Sequence, residues 1–591
     1  MKAVTDPAAL LLQRLLRLLR WRLWIQEKLQ PTDWQITLLW AALAGFLGAL
    51  VSLLFSVFAE GIHELLTGRN SGVVETMRQL PWWARVVVPA VGGLLAGLTL
   101  LFGKRLTRRE SSTDYMEAIV IGSGRLPVRS SLVKSTAALF SIGSGGSIGR
   151  EGPMVQLAAV VASLVGRWRK FTPPQLRLLV ACGAAAGIAS AYNAPIAGSF
   201  FVAEIILGTI AMESLGPLAV SAVVAALTVR VLTNAQQLYQ VPAFKLGSPW
   251  EMGPYIVLGL IAGTLAPWFL RSLRRAEQWF VATTMPPIGR LVLGGLIVGT
   301  IAVFYPEVCG NGYSGVVGIL NGRIVWFLLV AIMLAKWLAT AASFGSGAPG
   351  GVFTPSLFMG ASAGYLFGTA VHSFWPAGAA DPQAFALVGM GAFLSAATYA
   401  PVMAVILLFE MTLSYDIILP LMLCNVIAYY TAKGVQGESL YSEALRRKAA
   451  ETPAPALPMG NVQDLMKGDP PNVIATARFA EVARMFLSVR VNNIYVTGAE
   501  SRFVGAVSLH DIKPFLGDPD LAGLVIASDI MREDFPRIGP RQSLSEALGA
   551  FLGQSFERLP VVEPESGRLI GSLSKSDLLL ALVEKRQKTG A

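Results

Sequence analysis

Between Trp34 and Ala432 the chain passes through ten apolar stretches, at 36–59, 84–102, 155–166, 176–208, 216–232, 254–271, 289–304, 325–342, 384–409 and 417–432. A hydrocarbon layer about 30 Å thick is spanned by a helix of roughly 20 apolar residues. Only segments that satisfy their own backbone polar groups survive in that layer, so these runs read as helices in a lipid bilayer. Several are short or broken by Gly and Pro, as expected of helices that enter the membrane and stop. The chain as a whole is 53% hydrophobic and 14% charged over 591 residues, too apolar for a soluble protein of that length. The expected fold class is an all-α polytopic membrane protein followed by a smaller cytosolic α/β module.

Net charge is +11, and the first basic cluster lies in "LLQRLLRLLRWRLWIQEKL", where Arg14, Arg17 and Arg20 recur every third residue among leucines and tryptophans. This predicts an amphipathic helix over residues 1–32 on the cytoplasmic face, in keeping with the positive-inside bias. A signal peptide is the competing reading, but arginines interrupt its apolar core and no small-residue cleavage site follows. Membrane topology accounts for the basic balance, so nucleic acid need not be invoked. Cys182, Cys309 and Cys424 lie in or beside apolar segments and form no disulfide framework. The three histidines, His63, His372 and His510, are scattered far from any cysteine pair, so neither an enzyme nor a metal site is expected.

Composition changes after residue 448: "TPAPALPMG" lies in a Pro/Ala-rich linker over 449–460. From 461 onward the chain repeats itself, "VQDLM" (462–466) returning as "ASDIM" (527–531) and "NNIYVTGAESRFVGAVSLHD" as "ERLPVVEPESGRLIGSLSKSD", at an offset of 65 to 66. Each copy, 461–524 and 525–591, predicts helix, strand, strand, helix. The doubled pattern resembles a tandem CBS pair, a regulatory module. That resemblance implies an adenine nucleotide (ATP, ADP or AMP) between the copies, at Gly505, Ser508 and Asp511 of "GAVSLHD" and Gly571, Ser574 and Asp577 of "GSLSKSD". A glycine admits phosphate or ribose to the backbone, the hydroxyl bonds phosphate, and the carboxylate accepts from ribose hydroxyls. On the alternative reading, Ser and Asp merely cap the following helix.

The membrane part repeats as well. "GSGGSIGREGP" (143–153) faces "GSGAPGGVFTP" (345–355) at an offset of 202. Downstream, "AYNAPIAGSFFVAE" (191–204) faces "ATYAPVMAVILLFE" (397–410) at 206, matching Pro195 with Pro401 and Glu204 with Glu410. Two related halves follow, about 33–232 and 254–448. Gly/Pro-interrupted segments at matching positions of two halves point to a site built from broken helices near the bilayer midplane. Helix N-termini there offer N–H groups and the positive end of a dipole, which suits a small anion. Glu151, an ionisable group in apolar surroundings, is functional by default, because an unpaired carboxylate there must find a partner or take up a proton. Adjacent Arg150 faces it poorly along a helix. Lys134 in "SSLVKSTAALF" reads as a second buried charge near the anion path, or as a side chain snorkelling to an interface.

From about 33 to 448 these residues resemble the CLC family of chloride channels and proton-coupled chloride exchangers, "GREGP", "GGVFTP" and "LYS" occurring in order. The resemblance implies a homodimer with one pore per subunit in a bacterial inner membrane, both termini cytoplasmic, with chloride as substrate and no required cofactor. It implies that Glu151 is the gate, whose carboxylate occupies an anion site when ionised and leaves it when protonated. It implies anion binding along Gly149, Arg150 and Gly152 and along Gly351, Val352 and Phe353, with the backbone N–H groups of Val352 and Phe353 and the hydroxyl of Tyr441 on the central ion. The family's usual serine motif is replaced by "ESSTDYMEAI" (110–119), leaving Ser111 as the coordinating serine, with Ser112 as the alternative. That variant resembles the bacterial ClcB-like branch, described as voltage-gated chloride channels. A fluoride-selective branch is disfavoured because "GREGP" keeps its proline and "GGVFTP" its phenylalanine.

In exchangers of this family a second, inward glutamate relays the proton, at the position following Glu204; here it is Ile205. Either Glu204 stands in as a proton path, or it bonds backbone near Pro195 and Pro401 as a structural counterpart of Glu410, which is the favoured reading. The expectation is therefore a channel regulated by its CBS module. A proton/chloride antiporter is the alternative. A CBS-regulated divalent-cation transporter is the rival of another class, and a membrane-tethered nucleotide sensor a third.

Overall fold

The computed structural model describes residues 33–107, 113–120, 122–234, 239, 249–376, 380–435, 461–489, 492–509, 511–512, 515, 524–551 and 556–578. It divides into two units, Met1–Leu445 and Arg446–Ala591. In the first half of the membrane unit the apolar runs become α1 (Asp33–Thr67), α2 (Val73–Gln79), α3 (Trp82–Leu106), α4 (Tyr115–Val120), α5 (Val128–Gly143), α6 (Glu151–Trp168), α7 (Pro173–Tyr192), α8 (Pro195–Phe200, continued by a π-helical turn Phe201–Leu207) and α9 (Met212–Thr233). The second half supplies α10 (Met252–Ala282), α11 (Pro287–Phe304), α12 (Tyr313–Leu320), α13 (Trp326–Gly345), α14 (Phe353–Phe374), α15 (Pro382–Thr398), α16 (Pro401–Thr412) and α17 (Ile418–Val435). With α2 set aside, the halves run in the same order, α1 matching α10 and α9 matching α17.

Among the described residues, 8 helices are long and apolar enough to cross a membrane. Leu39, Leu54, Leu227, Phe304 and Leu419 stand more than half exposed on their outer faces, an arrangement that lipid tolerates and water does not. Two runs that read as continuous in the sequence are each cut in two. The 176–208 stretch breaks after Asn193 (φ 53°) ahead of Pro195, and 384–409 after Tyr399 (φ 60°) ahead of Pro401. Proline has no N–H to continue a helix and disfavours helical geometry in the residue before it, so both halves stop and restart at the same place.

Close helix contacts run through glycine, as they must where lipid supplies no hydrophobic drive between helices. Along α3 and α11, a Cβ added at Gly299 would stand 2.7 Å from the Val86 Cα, and one at Gly93 would overlap the Leu291 carbonyl. Where α14 crosses α15, Gly360 and Gly389 each lie against the other's carbonyl.

The second unit contains β1 (Asn472–Ile474), α18 (Phe479–Ser488), β2 (Asn493–Thr497), β3 (Phe503–Ser508), α19 (Ala527–Ile530), α20 (Leu544–Phe551), β4 (Arg558–Val562) and β5 (Leu569–Ser574). The antiparallel pair β2/β3 has Tyr495 opposite Ala506, and β4/β5 has Pro560 opposite Ser572, the same register repeated. The parallel pairing of Val473 with Val496 recurs as Ile538 with Val561. Bridges between the copies obey the same symmetry: Asn461–Ser543 mirrors Arg478–Ile526, Lys467–Ser572 mirrors Ala506–Arg532, and Arg502 meets its own counterpart Arg568. The duplication read from the sequence is thus a pseudo-two-fold pair.

Candidate functional site

The two glycine-rich loops fold alike. After α5, Gly145 takes φ +95°, its N–H donating to the Ile142 carbonyl at 3.0 Å and that of Gly146 to Ser141 at 2.9 Å. After α13, Gly347 takes φ +87°, its N–H donating to Phe344 at 3.0 Å and that of Ala348 to Ser343 at 3.3 Å. A left-handed residue closing a helix is the role glycine fills without strain. Ser147 then ties the loops together, its N–H donating to Ser343 Oγ at 3.1 Å and its hydroxyl meeting Thr340 Oγ1 at 3.0 Å. Beyond it the backbones cross: Gly149 N–H donates to the Gly351 carbonyl at 2.7 Å and Gly351 N–H to Gly149 at 2.9 Å. At offset 202, α6 starts at Glu151 and α14 at Phe353, so two helix N-termini, with first-turn N–H groups that have no partner inside the helix, meet at this bridge.

Glu151 is only 4% exposed. Its carboxylate lies back over the bridge: a Cβ at Gly149 would overlap Oε2, and one at Gly351 would stand 3.4 Å from it. The Thr354 hydroxyl, one residue past Phe353, donates to Oε1. Thr354 has a single hydroxyl proton, so its contact with the Tyr192 hydroxyl at 2.9 Å must run the other way, Tyr192 donating to Thr354. Oε2 has no hydrogen-bond partner among the described residues. No ion pair joins Arg150 to Glu151 there either, Arg150 being half-buried beside it. A cavity of about 430 Å³ opens onto the carboxylate, lined among others by His63, Arg150, Tyr192, Tyr239, Tyr313 and Thr354. A buried carboxylate that accepts from the Thr354 hydroxyl, keeps one oxygen without a partner among the described residues and faces an open volume has room to move.

Gly149, Arg150, Glu151, Gly152, Gly351, Val352 and Phe353 therefore come together at one crossing, with Val352 and Phe353 buried. Ser111, Ser112 and Tyr441, the 1–32 segment and the 449–460 linker lie outside the described residues. Glu204 is elsewhere. Its carboxylate accepts from Val402 N–H at 3.2 Å and Met403 N–H at 2.7 Å, at the start of α16. Glu410 accepts from Ile196 N–H at 2.9 Å and Ala197 N–H at 2.8 Å, at the start of α8. Each half caps the other's broken helix.

Lys134 departs from the buried placement considered for it, standing on an exposed face of α5. Among the described residues the buried cation is Lys336, 0% exposed, donating to the Val308 and Gly310 carbonyls at 2.8 and 2.7 Å and so holding the loop that lines the cavity. It was findable as the one ionisable residue in the 325–342 run. Thr354 and Tyr192 sit inside motifs already singled out, but nothing in those motifs marks their hydroxyls.

In the second unit the six predicted nucleotide residues are engaged within the protein. A Cβ at Gly505 would come within 2.6 Å of the Arg532 carbonyl, and one at Gly571 within 2.8 Å of that of Lys467, so both glycines make room for backbone of the opposite copy. The Ser508 and Ser574 hydroxyls accept from Asp511 N–H at 3.3 Å and Asp577 N–H at 3.2 Å, a capping arrangement. Asp511 meets Arg532 at 2.8 Å and Asp577 meets Lys467 at 2.9 Å, a symmetric pair of ion pairs across the copies. Burial alone would raise the Asp511 carboxyl, but hydrogen bonds from Arg532 and Ser508 hold it below the usual aspartate range.

Comparison with known proteins resolves the lineage. A family model described as voltage gated chloride channel matches residues 92–433. The chain belongs to the CLC family. A protein of Ralstonia nicotianae named chloride channel protein ClcB-like is 50% identical over 418 residues, 70% of this chain and 97% of that one. The voltage-gated ClC-type chloride channel ClcB of Escherichia coli is 39% identical over 411 residues, 69% of this chain and 98% of that one. Among CLC structures, a slow cyanobacterial Cl−/H+ antiporter superposes with a TM-score of 0.62 at 25% identity over 71% of this chain and 99% of its own. A eukaryotic CLC transporter shares the fold at 0.60 and 19% identity, over 92% of this chain and 97% of its own. A CBS domain model matches 527–584, the second copy, and the first copy repeats its strand pairing.

Proposed function

We propose that the membrane unit conducts chloride through a path gated by Glu151, as a channel of a bacterial inner membrane acting as a homodimer with cytoplasmic termini. The observation that carries this reading is the seat of Glu151: a buried carboxylate laid across the Gly149–Gly351 bridge, between two helix N-termini. It occupies, as a tethered anion, the place where partial positive charge would hold a halide. An arriving chloride repels the ionised form and favours the neutral acid, which lets go of Thr354 and clears the path. The N–H groups of Val352 and Phe353 then hold the ion, with Ser111 and Tyr441 completing its shell.

Channel rather than exchange is favoured because Glu204 is engaged at both oxygens by the backbone of α16, and Ile205 carries no proton. A proton/chloride antiporter is the second reading, supported by the likeness to the cyanobacterial antiporter. The reversal potential of the purified protein in liposomes under a pH gradient separates them: it should stay at the chloride equilibrium value, and a shift toward that of protons would establish exchange. A divalent-cation transporter would need converging carboxylates, whereas Glu204 and Glu410 are turned onto backbone. The CBS pair regulates conduction on this reading. Its carboxylates do not present themselves to ribose as they stand, so an adenine nucleotide would have to displace Arg532 from Asp511 and Lys467 from Asp577.

A further inference from the structure

Tyr239 is 1% exposed, and its hydroxyl has no hydrogen-bond partner among the described residues. Its position is nonetheless well fixed. The ring stacks on Tyr313 with centroids 5.2 Å apart and planes 24° from parallel, and the Tyr239 N–H donates to the Met411 carbonyl at 3.2 Å. Tyr239 lines the same cavity as Glu151, Tyr192 and Thr354, and its hydroxyl is near enough to interact electrostatically with both Glu151 and Tyr192. Buried tyrosine hydroxyls nearly always find a partner, because an unmade bond leaves the desolvation uncompensated. A buried donor at a cavity wall, its ring stacked and its hydroxyl without an acceptor among the described residues, points to an acceptor that enters the cavity.

We propose that the Tyr239 hydroxyl is an anion ligand on the cavity side of the gate, donating to a halide that rests beside Glu151 before the carboxylate yields. The assignment rests on the chloride-conduction reading. An anion at this position and an ionised Glu151 repel each other, so its occupancy favours the protonated, released gate. Arg150, on the same wall, adds positive potential. The other charged or titratable groups lining the cavity, Glu60, His63, Arg69, Tyr192, Cys309 and Tyr313, are shared by every variant below and cancel in the comparison.

The test uses Tyr239→Phe, which keeps the ring and its stacking, in the full chain reconstituted in liposomes, alone and combined with Glu151→Gln. Conductance is measured against chloride concentration varied on each side in turn. Half-saturating chloride should rise roughly three- to tenfold on one side, with the same factor in the Glu151→Gln background and an unchanged melting temperature. An unchanged half-saturation would overturn the assignment. So would an effect that vanishes with Glu151→Gln, which would give the hydroxyl to the gate carboxylate instead. Absence of any chloride conductance in the wild-type chain would remove the conduction reading itself, a result distinguishable from both.

Discussion

A relay of hydroxyls reaches Glu151: Tyr192 donates to Thr354, which donates to the carboxylate. Hydrogen bonds to a charged group are worth about 1.5–3 kcal/mol and favour the ionised form. Thr354→Val removes the donor while keeping the shape, so the Glu151 side chain is freer to leave the bridge. Chloride flux of the variant in liposomes at neutral pH should rise roughly three- to tenfold over the wild type. An unchanged flux would show that Thr354 does not hold the side chain. Glu151 itself was legible in the sequence because a carboxylate in an apolar run always requires a reason. Its latch was not, since Tyr192 and Thr354 lie 162 residues apart and only folding shows which hydroxyl donates to which.

Among elements, the broken helices α8 and α16 are capped reciprocally by Glu410 and Glu204. The two caps are equivalent under the pseudo-symmetry, so Glu204→Ala and Glu410→Ala should lower thermal stability by similar amounts, of order 1–2 kcal/mol each. Neither should alter the reversal potential under a pH gradient. A change confined to the Glu204 variant would restore it to a proton path. The sequence offset paired these glutamates with each other and with Pro195 and Pro401, but not the crossing by which each serves the opposite half. In the second unit, Asp511 is depressed by its bonds to Arg532 and Ser508. Its contribution is therefore fully present above the ordinary aspartate range and is lost as pH falls through the lower, folded value. The partner Arg532 is 54% exposed at its side chain, which limits the pair to about 1 kcal/mol or less. The protection factors of β3 amides in the full chain, exchange rates corrected for the intrinsic pH dependence, should fall on acidification, and Arg532→Ala should remove most of that change. An identical acid response in the variant would place the sensitivity elsewhere.

At the scale of the whole chain, duplication explains most of what was readable. The two membrane halves and the two copies in the second unit each repeat short words at a nearly constant offset, and the fold brings some of these pairs into contact, Gly149 with Gly351 and Arg502 with Arg568. Helix breaks were less legible, because apolar runs such as 176–208 look continuous until the proline stop acts on them. Cross-copy contacts were not legible at all: Gly505 and Gly571 suggested room for a ligand, while the backbone of the opposite copy fills it. The central claim is that one carboxylate occupies the anion's own seat and leaves it on protonation. Chloride flux from liposomes holding the full chain with Glu151→Gln, recorded across acid to neutral pH beside the wild type, tests it most directly. The account predicts a flux that no longer varies with pH and, at neutral pH, exceeds the wild type; a pH profile indistinguishable from the wild type would contradict it.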